Sequence, residues 1–162
     1  MVTADHGEGL GERHWAHGWH LYNEDIRIPL LLYNTSPATY PDLSFGAQID
    51  IAPTILESLA LPIPASWEGR SLLTRTRQRF TYHQTYFLPH RFAVLYRDER
   101  ALFKFIATPQ YGTEELYDLT TDSAEVRNLV TEQSELAALL RRKARAYMEN
   151  NSENGSGSSR VQ

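Results

Sequence analysis

The chain has 162 residues, a net charge of −4 and 41% hydrophobic residues, a size and composition typical of one globular domain with a sizeable core. The acidic balance, with Lys and Arg either scattered or confined to one terminal segment, argues against nucleic acid as a partner. Cysteine is absent, which excludes disulfides, thiolate catalysis and thiolate metal sites, and no apolar run approaches the roughly 20 residues of a membrane span.

The first predicted element is a short apolar strand that ends at Asp5, His6 and Gly7. In α/β proteins, ligands bind outside the carboxyl ends of the strands. This carboxylate and imidazole therefore occupy a position where a metal site can form. A strand usually has about 5 to 6 residues, but only Met1 precedes Val2. We therefore expect the chain to be a fragment whose missing N-terminal part carries half of the active site.

The next segments predict a strand and a helix. A loop rich in His, Gly and Trp leads into a continuous apolar run, residues 28–33, which is typical of a buried strand in a parallel sheet. Residues 50–59 predict a helix, in which Asp50 can cap the N-terminus. Pro53 is compatible with this helix because the first turn needs no internal N–H donor.

From about residue 76 the pattern changes to that of a small antiparallel sheet. Four short aromatic and β-branched runs, separated by turns, predict its strands at residues 79–86, 92–96, 102–106 and 115–119. Apolar positions that recur on one face predict a last helix over residues 132–148. The tail, residues 150–162, is rich in Asn, Ser and Gly and is predicted to be disordered.

Eight short motifs occur in a defined order along the chain: residues 3–8 (TADHGE), 10–12 (LGE), 17–18 (HG), 21–22 (LY), 27–30 (RIPL), 50–54 (DIAPT), 69–72 (GRSL) and 115–119 (ELYDL). In this order they resemble the sulfatases, a family of the alkaline-phosphatase superfamily. The resemblance extends from residue 2 to about residue 148. Each motif alone is weakly specific, but eight matches in the right order make the resemblance strong.

The resemblance implies an α/β fold in two parts. Residues 1–75 would be the C-terminal part of an alkaline-phosphatase-like, mostly parallel sheet, truncated at its start. Residues 76–149 would form the small C-terminal α+β subdomain, which is an antiparallel sheet followed by a terminal helix.

The resemblance also implies a site for one divalent cation. Asp5 and His6 match the late pair of metal ligands in sulfatases, where Ca²⁺ is the usual ion. Many members have Asn in place of His6, and an imidazole shifts the preference from Ca²⁺ toward Mn²⁺ or Zn²⁺. The identity of the metal therefore stays open among Ca²⁺, Mn²⁺ and Zn²⁺.

His17 lies where the resemblance places a group that contacts the sulfate oxygens or protonates the leaving alcohol, and we identify it as the catalytic candidate. In the phosphopentomutase-like branch, a His at this spacing ligates a second metal, and both roles stay open. Trp19 and His20, together with His17, are candidates for substrate binding. Glu8 and Glu12 are candidates for orienting the imidazoles, because metal-bound His commonly donates its other N–H to a carboxylate.

The nucleophile is absent from this chain. Sulfatases use a Cys or Ser in a Cys/Ser-x-Pro-x-Arg motif, and no such motif occurs here. The leading hypothesis is the C-terminal fragment of a metal-dependent hydrolase of small-molecule or glycan sulfate esters, inactive without the missing N-terminal part of the same protein. One alternative is a phosphodiesterase or phosphonate monoester hydrolase of the same superfamily. Another is a non-catalytic remnant.

Overall fold

The computed structural model describes residues 1–33, 45–74, 79–85 and 87–155. Its elements in chain order are β1 (Val2–Thr3), β2 (Gly9–Leu10), β3 (Trp15–Ala16), α1 (Asn23–Ile26), β4 (Leu30–Leu31), a 3₁₀ helix (Gln48–Asp50), α2 (Ile51–Ser58), β5 (Arg79–Gln84), β6 (Phe92–Arg97), β7 (Leu102–Thr108), β8 (Thr113–Asp118) and α3 (Ser134–Gly155). The predicted domain boundary near residues 75–76 lies outside the described residues.

The first strand pair differs from the prediction of a buried parallel strand over residues 28–33. Strands β1 and β4 pair antiparallel, with Val2 opposite Leu31. These two side chains are 66% and 64% exposed, because within the described ranges no layer covers them. Pro29 immediately precedes β4 and has no N–H to donate to a ladder, which keeps the pairing short.

Helix α2 confirms the helix predicted over residues 50–59, but Asp50 does not cap it. The Asp50 carboxylate is fully buried and instead accepts the backbone N–H groups of Ala47 (2.7 Å) and Arg70 (2.9 Å). It also forms an ion pair with the Arg79 guanidinium. Asp50 therefore ties the start of α2 to the loop that follows it and to the first strand of the small sheet.

The four-stranded antiparallel sheet confirms the second half of the prediction. Its order is β5-β6-β7-β8, so each strand pairs with its neighbour in the sequence. One face packs against α3 and forms the main core, with Val94, Phe105, Leu116 and Leu140 between 0% and 1% exposed. Burying such a side chain contributes about 1.5–3 kcal/mol. This core is therefore the main source of stability among the described elements.

The other face of the sheet packs against the segment around α1. Leu21 is buried against Ala93, Ile106 and Tyr117. Because side chains alternate along a strand, β7 sends Phe105 to the α3 side and Ile106 to the α1 side. The sheet therefore supports the His-rich loop, which precedes α1 in the chain.

Helix α3 begins and ends later than residues 132–148 and includes residues 150–155, part of the segment predicted to be disordered. The remaining tail, residues 156–162, lies outside the described residues. The helix packs its apolar face on the sheet: the Tyr147 ring stacks on Tyr82 with centroids 4.8 Å apart. None of the helices in the described ranges is both long and apolar enough to cross a membrane.

Candidate functional site

The candidate site lies on the loop between β1 and α1. Strands β2 and β3, each two residues long, form a short hairpin in which Gly9 is opposite Ala16. A turn closes this hairpin through the Gly11 N–H, which donates to the His14 carbonyl at 3.1 Å. The hairpin folds the chain back on itself, and it brings His17 beside His6, eleven positions earlier in the sequence.

Gly7 fixes the start of this loop against α1. Its N–H donates to the Asp25 carbonyl at 2.7 Å. A Cβ on residue 7 would lie 2.0 Å from the Glu24 carbonyl oxygen, closer than any real side chain can approach. Glycine is therefore required here by the close contact of two backbone segments.

The structure places Asp5 and His6 as neighbouring exposed donors. The His6 Nδ1 lies 2.7 Å from the Gly7 carbonyl, so Nδ1 carries the proton and the lone pair is at Nε2. That Nε2 is 3.7 Å from Asp5 Oδ2, while Asp5 Oδ1 accepts the His6 backbone N–H at 3.0 Å. The hydrogen bond to Gly7 raises the pKa of His6, and the charges of Asp5 and Glu8 act in the same direction.

This pair fits one divalent cation by its donor chemistry. It offers a carboxylate oxygen and an imidazole nitrogen with a free lone pair, a mixed set that suits Mn²⁺ or Zn²⁺ better than Ca²⁺. The Asp5 side chain is 88% exposed, so it can turn toward an ion. The roles of Asp5 and His6 as metal ligands remain predictions.

His17 contacts both His6 and Glu8. The His17 ring stacks on the His6 ring with centroids 3.7 Å apart and planes inclined by 24°. Its Nδ1 lies 2.7 Å from Glu8 Oε2, the kind of carboxylate contact expected for an oriented imidazole. Glu12 has another role: its carboxylate accepts the Leu10 N–H at 2.8 Å. A hydrogen bond to its own backbone N–H, followed by the one from Leu10, lowers the pKa of Glu12.

His20 belongs to a second histidine group beneath the loop. His14 Nε2 lies 2.9 Å from the buried Asp25 carboxylate, and the same carboxylate accepts the His20 backbone N–H at 3.1 Å. The His20 ring packs against the rings of His14 and Tyr22. Burial lowers the pKa of His20, and the nearby Arg91 adds to this effect. A role for His20 in substrate binding stays a prediction.

Trp19 lies beside a residue that sequence reasoning missed. Its indole stacks on the Phe87 ring, with centroids 4.6 Å apart and planes inclined by 19°, and both side chains are 42% exposed. The Arg91 guanidinium donates to the Trp19 carbonyl. Phe87 and Arg91 belong to the β5–β6 connection, and their separation of about 70 positions from Trp19 leaves no local pattern that could have indicated the contact.

A buried ion pair supports the loop from the sheet, and it too was missed. Lys104 Nζ donates to the Leu21 carbonyl (3.0 Å) and to Asn23 Oδ1 (2.8 Å). It also pairs with Glu125 at 2.7 Å, with both side chains 0% exposed. Burial lowers the pKa of Lys104, and the Glu125 charge opposes this effect. A lysine at the centre of an apolar strand is the signal in the sequence that could have indicated this pair.

Arg13 adds a second link between the loop and the segment after β8. Its guanidinium donates to the carbonyls of Ala124 and Glu125, both at 2.6 Å. It also lies 4.1 Å from the centre of the Tyr22 ring, a cation–π contact. The loop that carries His17 is therefore fastened on one side by contacts from the C-terminal half.

Comparison with known proteins gives consistent matches. The family described as "N-sulphoglucosamine sulphohydrolase, C-terminal" matches residues 11–152. Arylsulfatase K of Mus musculus is 28% identical over 163 residues, which cover 91% of this chain and 30% of that protein. PehA of Trinickia caryophylli, a multifunctional alkaline phosphatase superfamily protein, is 40% identical over 77 residues, covering 45% of this chain and 15% of that protein.

Among solved structures, a 2-O GAG sulfatase superposes with a TM-score of 0.68 and 21% identity, covering 99% of this chain and 38% of that one. This likeness confirms the α/β fold, with its antiparallel sheet and C-terminal helix. The chain spans 30% of the length of the arylsulfatase relative. Because the family match covers most of its residues, the chain belongs to the C-terminal family of N-sulphoglucosamine sulphohydrolase, within the sulfatases.

Proposed function

We propose that this chain forms the C-terminal part of a metal-dependent hydrolase of sulfate esters. Its family supports sulfate-ester hydrolysis in general, and the metal dependence and the fragment status are our proposal. The observation that carries it is the stacked pair of His6 and His17 beside Asp5. This contact supports the proposal because it sets Asp5 and His6, the proposed cation ligands, beside His17, the proposed proton donor.

In this proposal Asp5 and His6 hold the cation. A bound dication polarises the ester oxygen and stabilises the charge that develops there. The chain's own contribution is to fix these donors: the Gly7 carbonyl holds the Nδ1 proton of His6, which keeps Nε2 directed away from the backbone. Gly7 itself is pinned to α1 by its close contact with the Glu24 carbonyl.

His17 is proposed as the group that acts on the leaving alcohol. The Glu8 carboxylate accepts the Nδ1 proton of His17, so Nε2 faces the departing oxygen and donates a proton to it when the ring is in its doubly protonated form. Such proton donation typically contributes about 10²–10⁴-fold to the rate. The nucleophile and the remaining metal ligands would come from the missing N-terminal part, so we propose that this chain alone is inactive.

The proposed substrate is a sulfate ester of a sugar or another small molecule. The family is named after a sulphoglucosamine hydrolase, and a structural neighbour is named a 2-O GAG sulfatase. The exposed stack of Trp19 and Phe87 offers an apolar face on which a sugar ring can lie. Trp19, His17 and His20 are accordingly proposed as substrate-binding residues.

One observation favours a second candidate, a phosphodiesterase or phosphonate monoester hydrolase. The relative with 40% identity over 77 residues is named a multifunctional alkaline phosphatase superfamily protein. An imidazole at position 6 is also common in that branch of the superfamily. The same cation-binding pair and the same proton donor would serve phosphoryl esters.

The test uses the complete protein that contains this chain. We expect it to hydrolyse aryl and sugar sulfates faster than phosphodiesters or phosphonate monoesters. The Asp5→Ala variant should lose bound metal and at least about a hundredfold in kcat/KM, because it removes several kcal/mol of charge stabilisation. Glu12→Gln is the matched control, since Glu12 is an exposed carboxylate of the same loop, and it should keep its activity.

Other outcomes decide between the alternatives. Preference for phosphodiesters or phosphonates would favour the second candidate. Failure of the complete protein to hydrolyse any ester in the panel would support the non-catalytic remnant. Full activity and full metal content in Asp5→Ala would show that the metal site is assigned to the wrong residues.

A further inference from the structure

The loop between β1 and α1 contains a second set of metal donors, which overlaps the Asp5–His6 pair but differs from it. His6, Glu8 and His17 each offer one ligand atom, and these three atoms all lie within 4.8 Å of one another. We propose that this His6–Glu8–His17 cluster binds a zinc-like transition-metal ion. Asp5 is not a member of the cluster.

The donor types suit zinc rather than calcium. Two imidazoles and one carboxylate form a set of three protein ligands that Zn²⁺ binds in tetrahedral sites with a water in the fourth position. Zinc bonds to nitrogen and oxygen are about 2.0–2.2 Å long, which puts neighbouring ligand atoms about 3.4 Å apart. Calcium instead takes six to eight oxygen ligands, and the cluster offers oxygen only from Glu8.

The cluster is close to this geometry before an ion binds. His17 Nδ1 and Glu8 Oε2 are 2.7 Å apart, and the rings of His6 and His17 are already stacked. Between 43% and 46% of each of the three side chains is exposed. Small rotations can therefore bring the donors onto one ion without disturbing buried groups.

The backbone limits how far the donors can separate. The β2–β3 hairpin fixes His17 relative to Glu8 through the Gly9–Ala16 pair, and Gly7 anchors the other end of the same segment to α1. A site whose donors are held close loses less conformational entropy when the ion binds. Binding would also release the proton shared by Glu8 and His17, because a metal ligand must offer a lone pair.

This cluster and the Asp5–His6 pair share His6, so an ion bound at one of the two sites prevents an ion from binding at the other. Zinc in the cluster would withdraw His6 from the cation-binding pair and His17 from the leaving alcohol. The inference goes beyond the proposed hydrolase. Its test measures Zn²⁺ binding by this chain, so the result does not depend on sulfatase activity.

The experiment titrates the 162-residue chain with Zn²⁺ in a calorimeter and with Co²⁺ as an optical probe of coordination. We expect one ion per chain, a visible Co²⁺ absorption typical of four ligands, and no displacement by excess Ca²⁺. Glu8→Gln and His17→Ala should each weaken Zn²⁺ binding at least about tenfold. The matched control is Glu12→Gln, which should bind within about twofold of the unmodified chain. Asp5→Asn separates this cluster from the Asp5–His6 pair, and zinc in the cluster requires that it also bind within about twofold.

Two results would overturn the proposal. One is absence of stoichiometric Zn²⁺ binding to the unmodified chain. The other is loss of binding in Asp5→Asn together with full binding in Glu8→Gln, which would place the ion at the Asp5–His6 pair instead. NMR of the ring protons in the unmodified chain provides a measurement without variants: Zn²⁺ must shift the resonances of both His6 and His17.

Discussion

The two halves of the described chain differ in how they are held together. Residues 79–150 form a sheet and a helix around one apolar core, in which Phe105, Leu116 and Leu140 are fully buried. The strands of residues 1–33 are two residues long, and large apolar side chains such as Val2 and Leu31 remain exposed. The candidate site lies in this second, thinly packed region.

The difference shows that the main core and the candidate site lie in different parts of the chain. The His-rich loop has little core of its own, and buried polar links fasten it to the sheet: Lys104 with Glu125, and Arg13 with the carbonyls after β8. Hydrogen bonds and ion pairs form only at particular distances and angles, so these links hold the loop in one position against the sheet. The site is therefore positioned from the C-terminal half, although its donors belong to the N-terminal half.

The largest effect should come from breaking the link between the two halves. Lys104→Met removes the buried cation that pairs with Glu125 Oε1 and leaves the carboxylate with the Asn23 N–H and the more distant Arg13 guanidinium, which should cost about 3–5 kcal/mol. Urea denaturation measures this loss, and hydrogen exchange should show the residues around Leu21 and Asn23 losing protection first. Lys143→Met is the matched control, because Lys143 is an exposed lysine on α3.

A second change at Glu125 makes this test sharper. The double variant Lys104→Met with Glu125→Gln removes both charges and should recover part of the lost stability. A loss below about 1 kcal/mol in the Lys104→Met variant would mean that the buried pair does not hold the loop.

A smaller effect is expected from matched leucine substitutions in the two halves. Leu116→Ala removes a fully buried side chain from the main core and should lower the free energy of unfolding by about 2–5 kcal/mol. Leu31→Ala makes the same chemical change at a position that is 64% exposed and should stay within about 0.5 kcal/mol. Equal losses in the two variants would contradict the contrast between the halves.

The smallest effect concerns pH and develops only in acid. Burial lowers the pKa of His83 from 6.5 to about 4, with a contribution from the nearby Lys104 charge. The unfolded chain therefore binds a proton at this histidine before the folded chain does. Stability contributed by neutral His83 is complete above pH 6.5 and is lost as the pH falls toward 4, by about 3 kcal/mol in total.

Comparison of the unmodified chain with His83→Gln isolates this contribution. The free energy of unfolding of the variant should fall less steeply between pH 6.5 and pH 4. NMR titration of the ring gives the pKa directly, and a midpoint near 6.5 would disprove the prediction.

The small sheet was predictable because its signals are local. Aromatic and β-branched runs separated by turns marked all four strands, and sequence neighbours pair with each other. A strand does form within residues 28–33, at Leu30–Leu31. It is exposed and antiparallel rather than buried and parallel, because an apolar run does not say what will cover it. Helix α2 was predicted, but the role of Asp50 was not, since its partners Arg70 and Arg79 lie 20 and 29 positions away.

For the site, the sequence indicated the residues but not all of their contacts. Asp5 and His6 could be proposed from the sequence because they are adjacent and follow an apolar run, and their roles stay predictions. The stack of His6 on His17 depends on a hairpin whose strands are only two residues long, which is too short to leave a clear pattern in the sequence. The Trp19–Phe87 stack and the Lys104–Glu125 pair join positions that are far apart in the sequence. These contacts could therefore be identified only from the folded structure.

The contact at Gly7 has a consequence for transplanting this site. Two successive backbone groups of α1, the carbonyls of Glu24 and Asp25, lie against residue 7 and leave no room for a Cβ. The Asp-His-Gly tripeptide therefore cannot be transferred to another protein by itself and keep its conformation. A scaffold that receives it must also present a helical turn at the same place, and a designer who grafts the tripeptide alone would lose the orientation of His6.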